Sequence, residues 1–229
     1  CESNLYGCTV RMFEKVFKKF GIEVLYTDFT NKNNIKNISD FKPTLIWLES
    51  PTNPLLKVLD IKVICDEANK QEIPVVVDNT FSTALIQKPL ELGATLSLIS
   101  TTKFINGHSD ALGGAVLTNN EEWNSKMLFS QKALGLQPSP FDSWLITRGV
   151  KTLPLRIEQQ TKSAELISEE LEHHKIINKV IYPFNQNHPE FNLAKSQMRS
   201  GGSMITLKLN LNKENTFKFC KSLRYFSLA

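Results

Sequence analysis

Lys103 stands in Ser100-Thr101-Thr102-Lys103-Phe104-Ile105-Asn106-Gly107-His108-Ser109-Asp110, directly after the apolar run Ala94-Thr95-Leu96-Ser97-Leu98-Ile99. Upstream, Val75-Val76-Val77 delivers Asp78-Asn79-Thr80 in the same manner. Short apolar runs of this kind predict buried strands. A primary amine and a carboxylate are therefore expected at the ends of neighbouring strands. That pairing suits pyridoxal phosphate. The amine condenses with the aldehyde, and the carboxylate keeps the pyridine nitrogen protonated so that the ring draws electrons.

Other polar residues fall at the same places. Thr44-Leu45-Ile46-Trp47-Leu48 predicts a further strand, running into Glu49-Ser50-Pro51-Thr52-Asn53-Pro54, where two prolines stop it. In open parallel sheets ligands bind beyond the carboxyl ends of the strands. There Ser100 and Thr102 bracket the lysine and offer hydroxyls to a phosphate. Asn53 can donate to the cofactor's phenolic oxygen, and Tyr6, beside Gly7, can stack on the ring and act as a base. Each piece alone is ordinary. A lysine after a strand is far more often a solvated surface group, and Asp78-Asn79-Thr80 alone is a turn. Their recurrence in order on consecutive strand ends is what raises them above coincidence.

The surrounding elements follow from periodicity. Val10, Phe13, Val16, Phe17 and Phe20 predict a helix starting at Thr9 and closed by Gly21. Ile22 to Tyr26 reads as a strand, 31–40 as a polar connection with a short helix, and 61–70 as a helix. A short helical stretch is expected around Pro89-Leu90-Glu91-Leu92, and a strand over 113–118. Strands alternating with helices imply an α/β fold with a mostly parallel sheet covered on both faces. Beyond Pro138-Ser139-Pro140 the pattern changes to a long helix through Leu153, Ile157, Ala164, Ile167 and Leu171. Strands at 180–182 and 204–209 and a helix over 213–226 follow. The predicted division is a cofactor-binding α/β domain over 1–145, then a linking helix and the start of a smaller α/β domain over 146–229.

Composition narrows the function classes. The chain has 229 residues, 41% of them hydrophobic and 22% charged, enough to bury a real core. Its formal charge of +4 comes from scattered lysines rather than a basic block, which gives nucleic-acid binding little support. No apolar run is long enough to span a membrane. Cys1, Cys8, Cys65 and Cys220 show no metal-type spacing; Cys65 and Cys220 read as small core residues, and a reducing, cytoplasmic compartment fits. Opening at Cys1 and stopping in apolar sequence at Ala229, the chain is expected to be a piece of a longer polypeptide.

Leu5-Tyr6-Gly7-Cys8-Thr9, Glu49 to Pro54, Val76 to Phe81, Arg148-Gly149-Val150-Lys151-Thr152-Leu153 and the Lys103 segment together resemble the cysteine/methionine-metabolism family of pyridoxal-phosphate enzymes. The resemblance covers essentially the whole chain. It implies a fold-type I, aminotransferase-like enzyme that assembles as a homotetramer of dimers and acts on small sulfur amino acids. It also implies roles. Lys103 is the Schiff-base lysine, Asp78 the partner of the pyridine nitrogen, and Tyr6 the stacking and proton-transferring phenol. Asn53 lies near the cofactor oxygen and substrate, Thr80 packs on the ring, and Ser100 and Thr102 touch the phosphate. Glu49 fills a slot of the motif whose job the resemblance leaves open.

Two departures bear on the activity. Cys8 replaces the second glycine of the family's usual Tyr-Gly-Gly-Thr, as in methionine γ-lyases. Gly107-His108-Ser109-Asp110 and Phe226-Ser227-Leu228-Ala229 instead resemble the cystathionine γ-synthases and γ-lyases. Two signals against one favour making or breaking the Cγ–S bond of cystathionine, with methionine γ-lyase as the near rival and a catalytically silent assembly subunit as the distant one. The resemblance also implies a phosphate loop and a Tyr/Arg pair before Cys1, and a substrate-carboxylate arginine after Ala229.

Overall fold

The computed structural model describes residues 1–227, so Leu228 and Ala229 of the Phe226–Ala229 resemblance lie outside the described residues. In chain order the regular elements begin with α1 (Gly7–Lys15), α2 (Asn37–Phe41), β1 (Ile46–Glu49), α3 (Ile61–Asn69), β2 (Val75–Asp78), α4 (Thr83–Ile86), β3 (Leu96–Ser100) and β4 (Gly114–Leu117). There follow α5 (Glu121–Leu134), α6 (Pro140–Val150), α7 (Leu153–Leu171), β5 (Ile177–Ile181), α8 (Phe191–Gln197), β6 (Thr206–Leu209) and α9 (Lys213–Ser222).

The main sheet runs β1-β2-β3-β4. β1, β2 and β3 are parallel, with Glu49 opposite Asp78, and β4 returns antiparallel along β3. Val75, Val76 and Val77 are all buried, as a strand covered on both faces requires. One cover is α3. The Asp60 carboxylate accepts the Val63 N–H at 3.1 Å to cap it, and Ile61, Ile64, Cys65 and Ala68 form its buried stripe. These side chains pack with Ile46, Leu48, Val75 and Val77 in one core. Leu153 and Ile157 of α7 join Val58, Ile86, Ala194 and Met198 in a second core. β5 and β6 form a separate antiparallel pair. No helix among the described residues is long and apolar enough to cross a membrane.

Several expectations need correction. The first helix starts at Gly7, not Thr9, and breaks at Val16 before a 3-10 turn over Phe17–Phe20; Gly21, at φ 76°, closes that turn. Ile22 to Tyr26 forms no regular element and is not a strand. A strand needs a neighbour for its amides, and here only a single bridge forms, between Thr27 and Glu2. Pro89 to Gly93 folds as turns, with the Leu92 and Ala94 N–H groups both donating to the Pro89 carbonyl, and the short helix lies earlier, at α4. Cys65 is fully buried, but Cys220 is only half-buried. α5 buries none of its side chains.

Candidate functional site

The parallel strands β1, β2 and β3 end side by side at Glu49, Asp78 and Ser100. A cavity of about 1100 Å³ opens beyond these ends. Tyr6, Glu49, Asn53, Asp78, Thr80, Ser100, Thr102 and Lys103 all line it. A smaller hollow of about 470 Å³ lies at the β1 edge among Phe13, Phe41 and Trp47 and gathers none of these groups.

Asp78 accepts the Thr80 N–H on Oδ1 at 3.0 Å, while the Thr80 hydroxyl accepts the Ser100 N–H at 2.9 Å, so the ends of β2 and β3 are tied together. Burial pushes the Asp78 carboxyl above the usual carboxylate range; its bonds to Thr80 pull the other way and lose. A desolvated carboxylate without a cation beside it is incomplete, and a protonated ring nitrogen is the kind of group that completes it.

Lys103 lies in a π-type turn, Thr101 to Ile105, in which the Asn106 N–H reaches the Thr101 carbonyl at 2.9 Å. Lys103 itself leaves helical geometry, at φ −89° and ψ −117°. Upstream the turn is anchored by the Thr101 and Thr102 N–H groups donating to the Gly113 carbonyl at 2.9 and 3.3 Å. The Thr102 hydroxyl accepts the Gly113 N–H at 3.0 Å, and its own proton has only a long 3.3 Å approach to the Gly113 carbonyl. That proton is free to turn toward an anion in the cavity.

Glu49 holds two loops at once. Its Oε2 accepts the Tyr6 N–H at 2.8 Å and its Oε1 accepts the Asn53 N–H at 2.6 Å. Burial, then the negative charges of Asp78 and Glu2, push its pKa up to about 7 against these two amide bonds. Since both oxygens accept, the bonded form is the carboxylate.

Tyr6 stands at the N-terminal cap position of α1, lines the cavity and is 42% exposed. Cys8, one residue into the helix, accepts a hydrogen bond from the Arg11 guanidinium. Bonds from Tyr6 and Arg11 lower the Cys8 thiol pKa, and the same Cys8 contact raises that of the Tyr6 hydroxyl.

Beneath the cavity lies a buried amide network that sequence reading misses. Gln87 donates to the Ser50 carbonyl at 2.7 Å and to Asn79 Oδ1 at 3.0 Å, while Asn79 donates to the Gln87 carbonyl at 2.8 Å. Gln197 of α8 joins it, donating to Gln87 Oε1 at 2.9 Å. Neither glutamine sits in a motif; the only signal is a polar residue inside otherwise apolar stretches.

A lysine, a half-buried aspartate and hydroxyl groups at adjoining ends of a parallel sheet fit the aldehyde, ring nitrogen and phosphate of pyridoxal phosphate, and define a fold-type I enzyme of that cofactor. The chain belongs to the Cys/Met metabolism PLP-dependent enzyme family, whose profile matches residues 1–229. It is 40% identical over 226 residues to a cystathionine gamma-lyase of Dictyostelium discoideum, covering 99% of this chain and 58% of that protein. It is 43% identical over 209 residues to a probable cystathionine gamma-synthase of Herpetosiphon aurantiacus, covering 91% of this chain and 66% of that one. The crystal structure of cystathionine gamma synthase from Xanthomonas oryzae pv. oryzae in complex with cystathionine superposes with a TM-score of 0.96 at 37% identity, over 100% of this chain and 59% of that one. The chain thus spans 58% to 66% of the length of these relatives.

Proposed function

We propose that the whole protein is a trans-sulfuration enzyme that makes or breaks the Cγ–S bond of cystathionine. The observation that carries the reading is the placement of Lys103 and Asp78 on one cavity at adjoining strand ends, Asp78 being half-buried and Lys103 exposed to the cavity. When bound, pyridoxal phosphate supplies an electron sink for charge released at the substrate α-carbon. Lys103 would hold the cofactor through its amine, and the same amine would be the group that takes up and returns protons at the substrate carbons. Asp78 would set its negative charge against the ring nitrogen and keep that nitrogen protonated. Thr80 would support the ring face, Ser100 and Thr102 would give hydroxyls to the phosphate, and Asn53 would direct its amide to the phenolic oxygen and the substrate. Tyr6 would stack on the ring and take part in proton transfer.

Names of the relatives support the sulfur amino-acid class, since they include cystathionine γ-lyases and γ-synthases and cystathionine β-lyases alike. The same reading makes the whole protein a cytoplasmic homotetramer. In its favour, Leu112, Phe129, Leu134, Leu136, Phe141 and Trp144 are each at least 59% exposed, an apolar surface suited to subunit packing, and the cysteines are free thiols. One observation favours methionine γ-lyase as a second reading, the exposed Cys8 beside Tyr6. Product analysis of the full-length holoenzyme decides between them. Supplied separately with cystathionine, methionine, or an O-acylhomoserine plus cysteine, it is expected to turn over cystathionine or form it, and turnover of methionine alone would overturn the main reading. No turnover and no visible cofactor band would point to a silent assembly subunit.

A further inference from the structure

The turn that carries Lys103 is held on its upstream side by backbone bonds to Gly113, but on its downstream side by one side chain from α7. Arg156 Nη1 donates to the Phe104 carbonyl at 2.7 Å and Nη2 to the Ile105 carbonyl at 3.2 Å. Nη2 also reaches the Gly149 carbonyl near the end of α6 at 2.9 Å, and Nε donates to the Thr152 hydroxyl at 3.0 Å. Carbonyls at the end of a turn or helix have no partner within their own element. A planar guanidinium with a fork of donors can serve several of them at fixed angles, which a lysine ammonium cannot.

The neighbouring glycines are shaped to this arrangement. Gly107 has φ +77°, and a Cβ there would lie 2.1 Å from Arg156 Nη1. A Cβ on Gly149 would lie 2.3 Å from the Asn106 carbonyl oxygen. The backbone just past Lys103 is therefore pressed against the guanidinium on one side and the end of α6 on the other.

We propose that Arg156 is a positioning residue for Lys103: by gripping the Phe104 and Ile105 carbonyls against the end of α6, it fixes the point from which the lysine side chain reaches the cofactor. This rests on the reading of Lys103 as the cofactor's lysine. Arg156 is not itself among the residues that line the cavity, and it bonds the backbone carbonyl of Phe104, which does, so it acts through the backbone.

The test uses Arg156→Lys and the milder Thr152→Val in the full-length holoenzyme, with Lys103→Ala beside them. Arg156→Lys is expected to load cofactor on Lys103 at full stoichiometry. Its kcat should fall by about ten- to a hundredfold, the scale set by a misplacement of the order of an ångström, with KM within about threefold of the parent. The visible circular dichroism per bound cofactor should change as the ring is held differently, and Thr152→Val should move both readouts the same way by less. In the cofactor-free protein the Asn106 and Gly107 amides should exchange faster in Arg156→Lys at matched global stability. If kcat and visible dichroism keep parental values, or activity falls only in step with thermal stability while dichroism and amide exchange stay unchanged, the proposal is overturned. Should Arg156→Lys fail to load, Thr152→Val and the amide exchange decide in the same terms. A cofactor band that survives in Lys103→Ala would instead overturn the reading of Lys103 itself.

Discussion

The Glu49 carboxylate and the Tyr6 backbone amide, 43 positions apart, meet at 2.8 Å, and the other oxygen of Glu49 takes the Asn53 amide at 2.6 Å. One buried side chain at the end of β1 thus sets both the loop that presents the Tyr6 phenol and the loop that presents the Asn53 amide to the cavity. Glu49→Gln keeps the volume but turns one acceptor oxygen into a donor facing an N–H group. Leaving a buried donor unpaired costs about 1–3 kcal/mol. The variant should lose about tenfold or more in kcat/KM, and activity within twofold of the parent would show that the clamp does not matter.

The same clamp gives a pH dependence with a definite sign. The Glu49 pKa is raised from 4.5 to about 7, so the folded protein holds this proton over a window in which the unfolded chain has lost it. The stability linked to this group is then fully present below 4.5 and is lost as pH rises through about 7. Activity runs the other way, because protonation removes one acceptor from the Tyr6–Asn53 clamp. Turnover should therefore decline as pH falls through about 7 without any matching loss of thermal stability. A decline that tracks unfolding would contradict this origin.

How much of this is legible in the sequence depends on what kind of signal a residue leaves. Lys103 and Asp78 stand out because apolar runs announce the strands that end on them. The job of Glu49 does not, since its partners are backbone amides that any residue type would supply. Arg156 is invisible for the same reason: it binds carbonyls, and only its place three residues past the Arg148–Leu153 motif hints at a role. Ile22 to Tyr26 has the composition of a strand but finds no strand to pair with, and composition carries no information about neighbours. α5, α6 and α8 escape periodicity because their apolar residues are not confined to one buried face; α5 leaves Leu128, Phe129 and Leu134 exposed.

Asp78→Asn separates chemistry from folding. Burial already raises the Asp78 carboxyl in the cofactor-free chain, so removing its charge relieves a desolvated group. The cofactor-free variant should melt at the same temperature as the parent or higher, while the holoenzyme loses about a hundredfold or more in turnover, in line with the loss of a preorganised charge. Near-normal turnover would make Asp78 structural only.

The thiols should react in a set order. Cys8 is exposed, with its pKa lowered by Tyr6 and Arg11, whereas burial pushes Cys65 up to about 12. The thiolate is the reactive form, so iodoacetamide should label Cys8 first and leave Cys65 untouched in the folded protein. Cys8→Gly should keep turnover of cystathionine and lower any activity on methionine. Loss of all turnover with cofactor still bound would give Cys8 a direct role in the chemistry.

Gly149 packs too closely to Asn106 to accept a methyl group. Gly149→Ala should destabilise the fold by about 1–3 kcal/mol, the usual cost of overpacking, read from denaturant midpoints; parental stability would mean that α6 can move away from the Lys103 turn.

The most direct test is to map where the cofactor attaches. Full-length holoenzyme is reduced with borohydride, digested, and searched by mass spectrometry for the pyridoxyl group. The account predicts labelling at Lys103 and at no other lysine, abolished in Lys103→Ala; a pyridoxyl group on a different lysine would contradict it.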